Sequence, residues 1–102
     1  MNKYEDEKQY YWEEKQSNGH TRVGINEAGQ DEIGEISFVA FPKGMTEVKE
    51  GDSFVSVEGA KAVSDLHSPV AGKIAKVNTE LMDHPEKLDE KGKENTWLVE
   101  LY

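Results

Sequence analysis

The stretch SFVSVEGAKAVSDLHSPVAGKI, Ser53 to Ile74, decides the fold of this 102-residue chain. Two extended segments, SFVSVE and AVSDLHS, flank the tight sequence GAK, in which Gly59 is free to take a positive φ angle. This pattern predicts a β-hairpin with Lys61 at or beside its tip. Small side chains, Ala60 and Ala62, stand on both sides of that lysine. We therefore expect Lys61 to project from the body of the protein on a rigid pair of strands.

The remaining sequence predicts an all-β protein, because short apolar bursts are separated by Gly, Pro, Asn and Asp. The segments QYYWEEK and TRVGI, joined by the turn SNG, predict a first hairpin. The segment NEAGQDEIG predicts one short helical turn, with Asn26 as its N-cap and Gly34 as its stop signal. Further bends are expected at Pro69 and Gly72, and a second helical turn is expected over residues 79–83.

Two other segments are expected to be strands. EISFVAF predicts a strand in which Ile36 and Phe38 face the same side, because side chains alternate along a strand. In the closing segment TWLVELY, the side chains of Trp97, Val99 and Leu101 are expected to share one face. The segments PKGMTEVKEGDSF and TELMDHPEKLDEKGKEN are mostly polar, and apart from the turn over residues 79–83 we expect loops there.

Length and composition indicate the class of protein. One domain over residues 1–102 is expected at this length. The formal net charge of −9, from 21 acidic and 12 basic residues, argues against binding to nucleic acid or to an anionic membrane. The chain has no cysteine, so it forms no disulfide. A charged N-terminus and the lack of an apolar run of about 18 residues predict neither a signal peptide nor a membrane span. We expect a soluble, cytoplasmic monomer.

Side-chain chemistry gives little support for an enzyme. His20, His67 and His84 lack the spacing of a metal site, so no metal is expected. Ser64, Asp65 and His67 have the residue types of a hydrolase triad, but adjacent residues of a strand point to opposite faces. What remains is Lys61. It is either an ordinary exposed lysine or an amine to which a cofactor is joined as an amide.

The residues around Lys61 resemble a known attachment motif. VEGAKAVSDLHSPVAGKIAKVN, Val57 to Asn78, is similar to the lipoyl-attachment motif of the glycine cleavage system H protein, where a lysine follows Glu-x-x and precedes Ala-x-Ser-(Asp)-(Leu)-x-(Ser/Ala)-Pro-x-x-Gly. VGINEAGQDEIGEISFVAFP and NTWLVELY also resemble segments of that family. Biotin carriers usually place their lysine between two methionines, and Ala60 and Ala62 therefore favour lipoate.

The resemblance implies a fold and a function. The fold would be the flattened barrel-sandwich hybrid of lipoyl domains, with one or two short helical turns. Lys61 would receive lipoate from a lipoate ligase or lipoyl transferase, and Glu58 would help to present the lysine. The carrier would itself catalyse nothing. Its arm would take an aminomethyl group from glycine decarboxylase to the aminomethyltransferase and be reoxidised by dihydrolipoyl dehydrogenase.

Two alternatives to this function stay open. The chain departs from the family by a short N-terminal segment and by the lack of a long helix after the closing strand, as in short H-like proteins of some Gram-positive bacteria. Those proteins sit beside a macrodomain protein and a sirtuin-type ADP-ribosyltransferase, which implies a role in oxidative stress. Asp31 would then be a modification site, with Glu27 and Glu32 as competitors, although acids are also favoured near a helix start by the helix dipole. The other alternative is an interaction module whose Lys61 is never modified.

Overall fold

The computed structural model describes residues 7–102, and this part of the chain contains eight strands and several short helices. The strands are β1 Tyr11–Lys15, β2 Thr21–Ile25, β3 Ile36–Ala40, β4 Glu47–Val48, β5 Ser53–Gly59, β6 Val63–His67, β7 Gly72–Val77 and β8 Trp97–Leu101. The helices are α1 Glu27–Ile33, α2 Glu80–Asp83 and α3 Lys93–Thr96, with 3-10 turns at Lys8–Tyr10 and Pro85–Asp89. The all-β prediction is confirmed, although helical turns are more numerous than expected. None of the helices in residues 7–102 is long and apolar enough to cross a membrane.

The strands form two antiparallel sheets. The larger sheet has the order β1-β2-β8-β7-β4 and the smaller has the order β3-β5-β6. Within the described residues the two sheets remain separate ladders and form no closed barrel. Both contribute to one apolar cluster, in which Val23 and Val99 of the larger sheet join Val39, Phe54 and Val57 of the smaller. The core therefore holds the sheets together, as in a sandwich.

The closing strand β8 lies in the middle of the larger sheet, between β2 and β7. Both of its faces are covered: Leu98 and Val99 are fully buried and Glu100 is 2% exposed. The expectation that Trp97 shares a face with Val99 and Leu101 was wrong. The register with β2 shifts so that Leu98 is an extra residue, and the Trp97 ring lies on the face of Glu100, with Arg22 Cζ 4.4 Å from the ring centre. The chain accommodates the buried Glu100 carboxylate by hydrogen bonds, which it accepts from His20 Nδ1 at 2.8 Å and Arg22 Nε at 3.0 Å.

Helix α1 begins and ends as the sequence predicts. The Asn26 side chain accepts a hydrogen bond from the backbone N–H of Gly29 at 3.0 Å, and Gly34 ends the helix with a φ of +80°. The 3-10 turn at Pro85–Asp89 packs beside α1, where Gln30 Nε2 donates to the carbonyl oxygen of Leu88 at 2.8 Å. Leu88 is fully buried. The segment predicted to be a polar loop is therefore part of the support for α1.

Strand β3 differs from its predicted alternation. Ile36 pairs with Gly59 of β5, but the register shifts between Ile36 and Phe38, so Ser37 forms a bulge. A bulge adds one residue to a strand and reverses the side to which later residues point. Ile36 and Val39 are consequently both buried, whereas Phe38 is 52% exposed. The prediction that Ile36 and Phe38 share a face was wrong for this reason.

Candidate functional site

The hairpin predicted around Lys61 is present. Strands β5 and β6 pair antiparallel up to Glu58 and Val63, and Gly59 N–H donates to the carbonyl oxygen of Ala62 at 2.9 Å. Ala60 and Lys61 therefore form a two-residue loop. Such loops usually need residues of positive φ, yet the positive-φ residues of the described chain are five glycines that all lie elsewhere. Gly59, which is free to take a positive φ, does not take one.

The tip does not project away from the body but lies against the C-terminal end of α1. Lys61 N–H donates to the Ile33 carbonyl oxygen at 3.0 Å, and Ala60 N–H donates to that of Glu35 at 2.9 Å. The Lys61 Nζ atom donates to the Asp31 carbonyl oxygen at 3.0 Å. Carbonyl groups of a last helical turn have no partner within the helix, and they attract cations. The end of α1 therefore holds both the backbone and the amine of the tip.

Two glycines make this close packing possible. A Cβ atom on Gly59 would overlap the carbonyl oxygen of Ile33 and stand 2.5 Å from its Cγ2 atom. A Cβ atom on Gly34 would stand 2.9 Å from Lys61 Cγ and 3.1 Å from Lys61 N. Real Cβ atoms essentially never approach another atom within 3.0 Å, so larger residues would push the hairpin away from α1. The sequence singled out both glycines. At Gly59, however, a glycine is needed for the close approach of α1 rather than for backbone freedom.

The predicted site residues are placed differently around the tip. Lys61 is exposed, and Asp31 adjoins it through its backbone carbonyl while its own side chain faces solvent. Glu58 is exposed one residue before Gly59, and in residues 7–102 its carboxylate makes no hydrogen bond or ion pair with Lys61. A role for Glu58 in presenting the lysine and a modification at Asp31 both stay predictions.

The support behind the tip includes a residue that the sequence did not reveal. Asp89 accepts a hydrogen bond from the backbone N–H of Ile36, at 2.9 Å to Oδ2. Removal of water raises the pKa of the Asp89 carboxyl, and the hydrogen bond from Ile36 opposes that rise. This bond anchors the start of β3 next to Glu35, whose carbonyl oxygen holds Ala60. Nothing in the sequence pairs residues 53 positions apart, so only the fold could show this contact.

A cavity of about 220 Å³ lies between α1, β6 and the start of β1. Its lining includes Glu7, Tyr11, Gly29, Glu32 and Leu66. The Glu7 carboxylate accepts hydrogen bonds of 2.6 Å from both the Tyr11 hydroxyl and the His67 backbone N–H. No local pattern in the sequence reveals this cavity, because its walls come from three separate parts of the chain, residues 7–11, 25–33 and 64–66.

The histidines serve structural contacts in the described chain. His20 bonds Glu100, His67 bonds Glu7, and His84 lies 3.4 Å from Glu86. Asp65 accepts a hydrogen bond from the Ser56 hydroxyl at 2.7 Å. The described structure therefore does not assemble Ser64, Asp65 and His67 into a catalytic triad. Residues 7–102 also contain no group of three His, Asp or Glu side chains that could hold a metal ion.

The chain is similar to proteins of one known family. The family model of the glycine cleavage H-protein matches residues 2–102. A glycine cleavage system H protein from Staphylococcus epidermidis is 45% identical over 94 residues, which cover 92% of this chain and 74% of that protein. One from Oceanobacillus iheyensis is 42% identical over 92 residues, covering 90% and 72%.

A solved structure is similar as well. The crystal structure of a glycine cleavage system H protein from Mycobacterium marinum matches with a TM-score of 0.76 and 31% identity, over 90% of this chain and 76% of that chain. The match confirms the predicted barrel-sandwich type of fold. None of these three proteins is named for ADP-ribosylation or oxidative stress, so they give the stress-linked alternative no support. Family model, relatives and structure agree, and the chain belongs to the glycine cleavage H-protein family.

Proposed function

We propose that this chain is a single-domain lipoyl carrier of glycine cleavage, with lipoate joined to Lys61. The observation that carries the proposal is the position of the amine: Lys61 is exposed on a two-residue loop, and its backbone N–H and its Nζ atom each donate a hydrogen bond to a carbonyl oxygen at the end of α1. An ordinary surface lysine needs no such support, since most lysines are freely solvated. Membership of the family adds the expectation of a lipoyl group.

The residues at the tip suit an amide-linked arm. Ala60 and Ala62 add only methyl groups beside Lys61, so little side-chain bulk surrounds the amine. An amide nitrogen at Nζ keeps one N–H, which can still donate to the Asp31 carbonyl oxygen. The charge of the ammonium group is lost, but a neutral donor still satisfies that carbonyl. The same contact therefore serves the chain before and after attachment.

Attachment would be the work of a lipoate ligase or lipoyl transferase. In the ligase reaction, Lys61 Nζ forms an amide with the carboxyl carbon of lipoate and gives up a proton, while cleavage of ATP to AMP and pyrophosphate takes up the water lost. Bound lipoate supplies a dithiolane that carries an aminomethyl group and reducing equivalents between enzymes. The part of this chain is to present and orient the attachment point. Glycine decarboxylase, the aminomethyltransferase and dihydrolipoyl dehydrogenase would be its partners.

Intact-mass measurement tests the attachment. The purified protein is incubated with a lipoate ligase, ATP and lipoate, and we expect a gain equal to the mass of lipoate less one water. Lys61→Arg, which keeps the positive charge, should show no gain, whereas Lys73→Arg, at another exposed lysine, should gain the same mass as wild type. An unchanged wild-type mass, or a gain that persists in Lys61→Arg, would refute the proposal.

A second measurement separates glycine cleavage from the stress-linked alternative. The lipoylated protein is mixed with glycine decarboxylase, aminomethyltransferase, dihydrolipoyl dehydrogenase, tetrahydrofolate and NAD, and release of carbon dioxide from glycine is followed. We expect turnover that depends on the lipoylated carrier and is absent with Lys61→Arg. Full lipoylation without turnover would move the carrier out of glycine cleavage while leaving the attachment intact.

A further inference from the structure

Two large apolar side chains lie exposed beside the tip, on the outer face of the smaller sheet. Phe38 is 52% exposed and Val63 is 77% exposed. The strand register places Phe38 opposite Glu58, and Glu58 opposite Val63. Residues opposite each other on neighbouring strands point to the same face. Phe38, Glu58 and Val63 therefore form one row across β3, β5 and β6, which we call the tip row.

The fold itself does not use the apolar character of this row. The next residues of β3 and β5, Val39 and Val57, point inward and are 2% and 1% exposed, so the core is already filled from the other face. The bulge at Ser37 turns Phe38 outward. At exposed strand positions Thr serves a sheet about as well as Val. Two exposed apolar side chains that flank a carboxylate on one sheet face, close to Lys61, have the mixed composition of an interaction surface.

Charge defines what kind of surface fits the row. Glu58 stands between the two apolar residues. Asp65 is the next residue of β6 after Val63 whose side chain points to this outer face. Glu35 is exposed at the junction that holds the tip. The face is thus apolar and acidic, and a complementary surface would combine an apolar contact with a basic side chain.

We propose that the tip row is the docking surface for the enzyme that attaches lipoate to Lys61; this inference rests on the proposed function. Attachment brings the Nζ atom itself to an active site, so the enzyme must lie against the residues nearest the lysine. Val63 is two positions from Lys61, and Glu58 is three. In later steps the reacting atoms would be the lipoyl sulfurs, at the far end of the arm, rather than Nζ. The attaching enzyme is therefore the partner with most contact to the row.

The test is steady-state kinetics of a lipoate ligase with the carrier as the varied substrate. The double variant Phe38→Thr/Val63→Thr removes the apolar contact and keeps β-branched residues in both strands. We expect its KM for the carrier to rise about tenfold, with kcat within about twofold, because the loss falls on docking rather than on the amine. Added salt should raise the wild-type KM, and Glu58→Gln should weaken that salt dependence.

Tyr102→Thr is the matched control, since Tyr102 is 66% exposed and follows β8 in the larger sheet. Its KM should equal that of wild type. A KM of the double variant within about twofold of the wild-type KM, or an equal rise of KM in Tyr102→Thr, overturns the docking surface. The proposed function still stands in that case, provided that the wild-type protein is lipoylated. A wild-type protein that gains no lipoyl mass overturns both. Sedimentation that shows a wild-type dimer lost in Val63→Thr would assign the row to a second copy of this chain and overturn the proposal.

Discussion

Replacing Gly34 by alanine should damage both stability and lipoylation, and the size of the effect follows from two features. Gly34 has φ +80° and ψ −167°, a region that costs a residue with a side chain about 1–3 kcal/mol. Its added Cβ would also stand 3.1 Å from Lys61 N and 2.9 Å from Lys61 Cγ. The backbone nitrogen cannot move without stretching its bond to the Ile33 carbonyl oxygen. Together we expect a loss of about 3 kcal/mol in the free energy of unfolding.

Gly44→Ala provides the matched control. Gly44 also has a positive φ, +69°, but an added Cβ there meets no atom within 4 Å. It should cost only about 1 kcal/mol. Urea unfolding gives both free energies, and the kcat/KM of a lipoate ligase reports the tip. We expect kcat/KM to fall about tenfold or more in Gly34→Ala, since the amine is displaced, and to stay unchanged in Gly44→Ala. Equal stability losses in the two variants, or normal lipoylation of folded Gly34→Ala, would refute the reasoning.

Three further predictions concern stability. Hydrogen bonds from His20, and then from Arg22, lower the pKa of Glu100 to about 2. A carboxyl whose pKa is lower in the folded state stabilises the fold above its unfolded pKa, and this stabilisation is lost as the pH falls toward 2. The difference in unfolding free energy between wild type and Glu100→Gln should therefore shrink by roughly 3 kcal/mol from pH 6 to pH 2. A constant gap would contradict this. Gly72→Ala places a Cβ atom 3.0 Å from the Cβ atom of buried Leu101 and should lower the free energy of unfolding by about 1–2 kcal/mol. Pro69→Ala should also lower it by more than Lys61→Ala, for which a loss of under about 0.5 kcal/mol is expected because Lys61 is exposed. Equal melting temperatures of the three variants would contradict this order. Asp89→Ala should cost about 1 kcal/mol in urea unfolding and Asp89→Asn less, because an amide oxygen still accepts from Ile36 N–H; equal losses would argue against that bond.

Local signals in the sequence predicted much of the fold. The Asn26 cap, the Gly34 stop and the two hairpins were all found where expected, because each depends on residues close together in the chain. The bulge at Ser37 was missed, since a shift in register depends on the partner strand rather than on the strand's own pattern. The burial on both faces of β8 was missed for the same reason: its neighbours come from distant parts of the chain.

The position of Lys61 on a hairpin was predicted, but its surroundings were not. Lys61 and the resemblance around it were visible in the sequence, whereas the contact with α1 joins Lys61 to a carbonyl 30 residues earlier. Backbone carbonyls have no sequence signature, so no pattern could have shown that the tip is held rather than free. Gly59 illustrates the limit: the sequence indicated that a glycine matters at this position, but the reason is the close approach of the Ile33 carbonyl oxygen.

The support of α1 by a later segment bears on when the proposed attachment point at Lys61 is ready. Gln30 is hydrogen bonded to Leu88, 58 residues further along the chain, and a ribosome makes Lys61 well before Leu88. A growing chain that has just exposed its lysine therefore lacks the brace behind the helix that orients it. An enzyme that recognises the oriented tip would act on finished chains and pass over nascent or misfolded ones. The cofactor would then mark, molecule by molecule, the carriers that had completed folding.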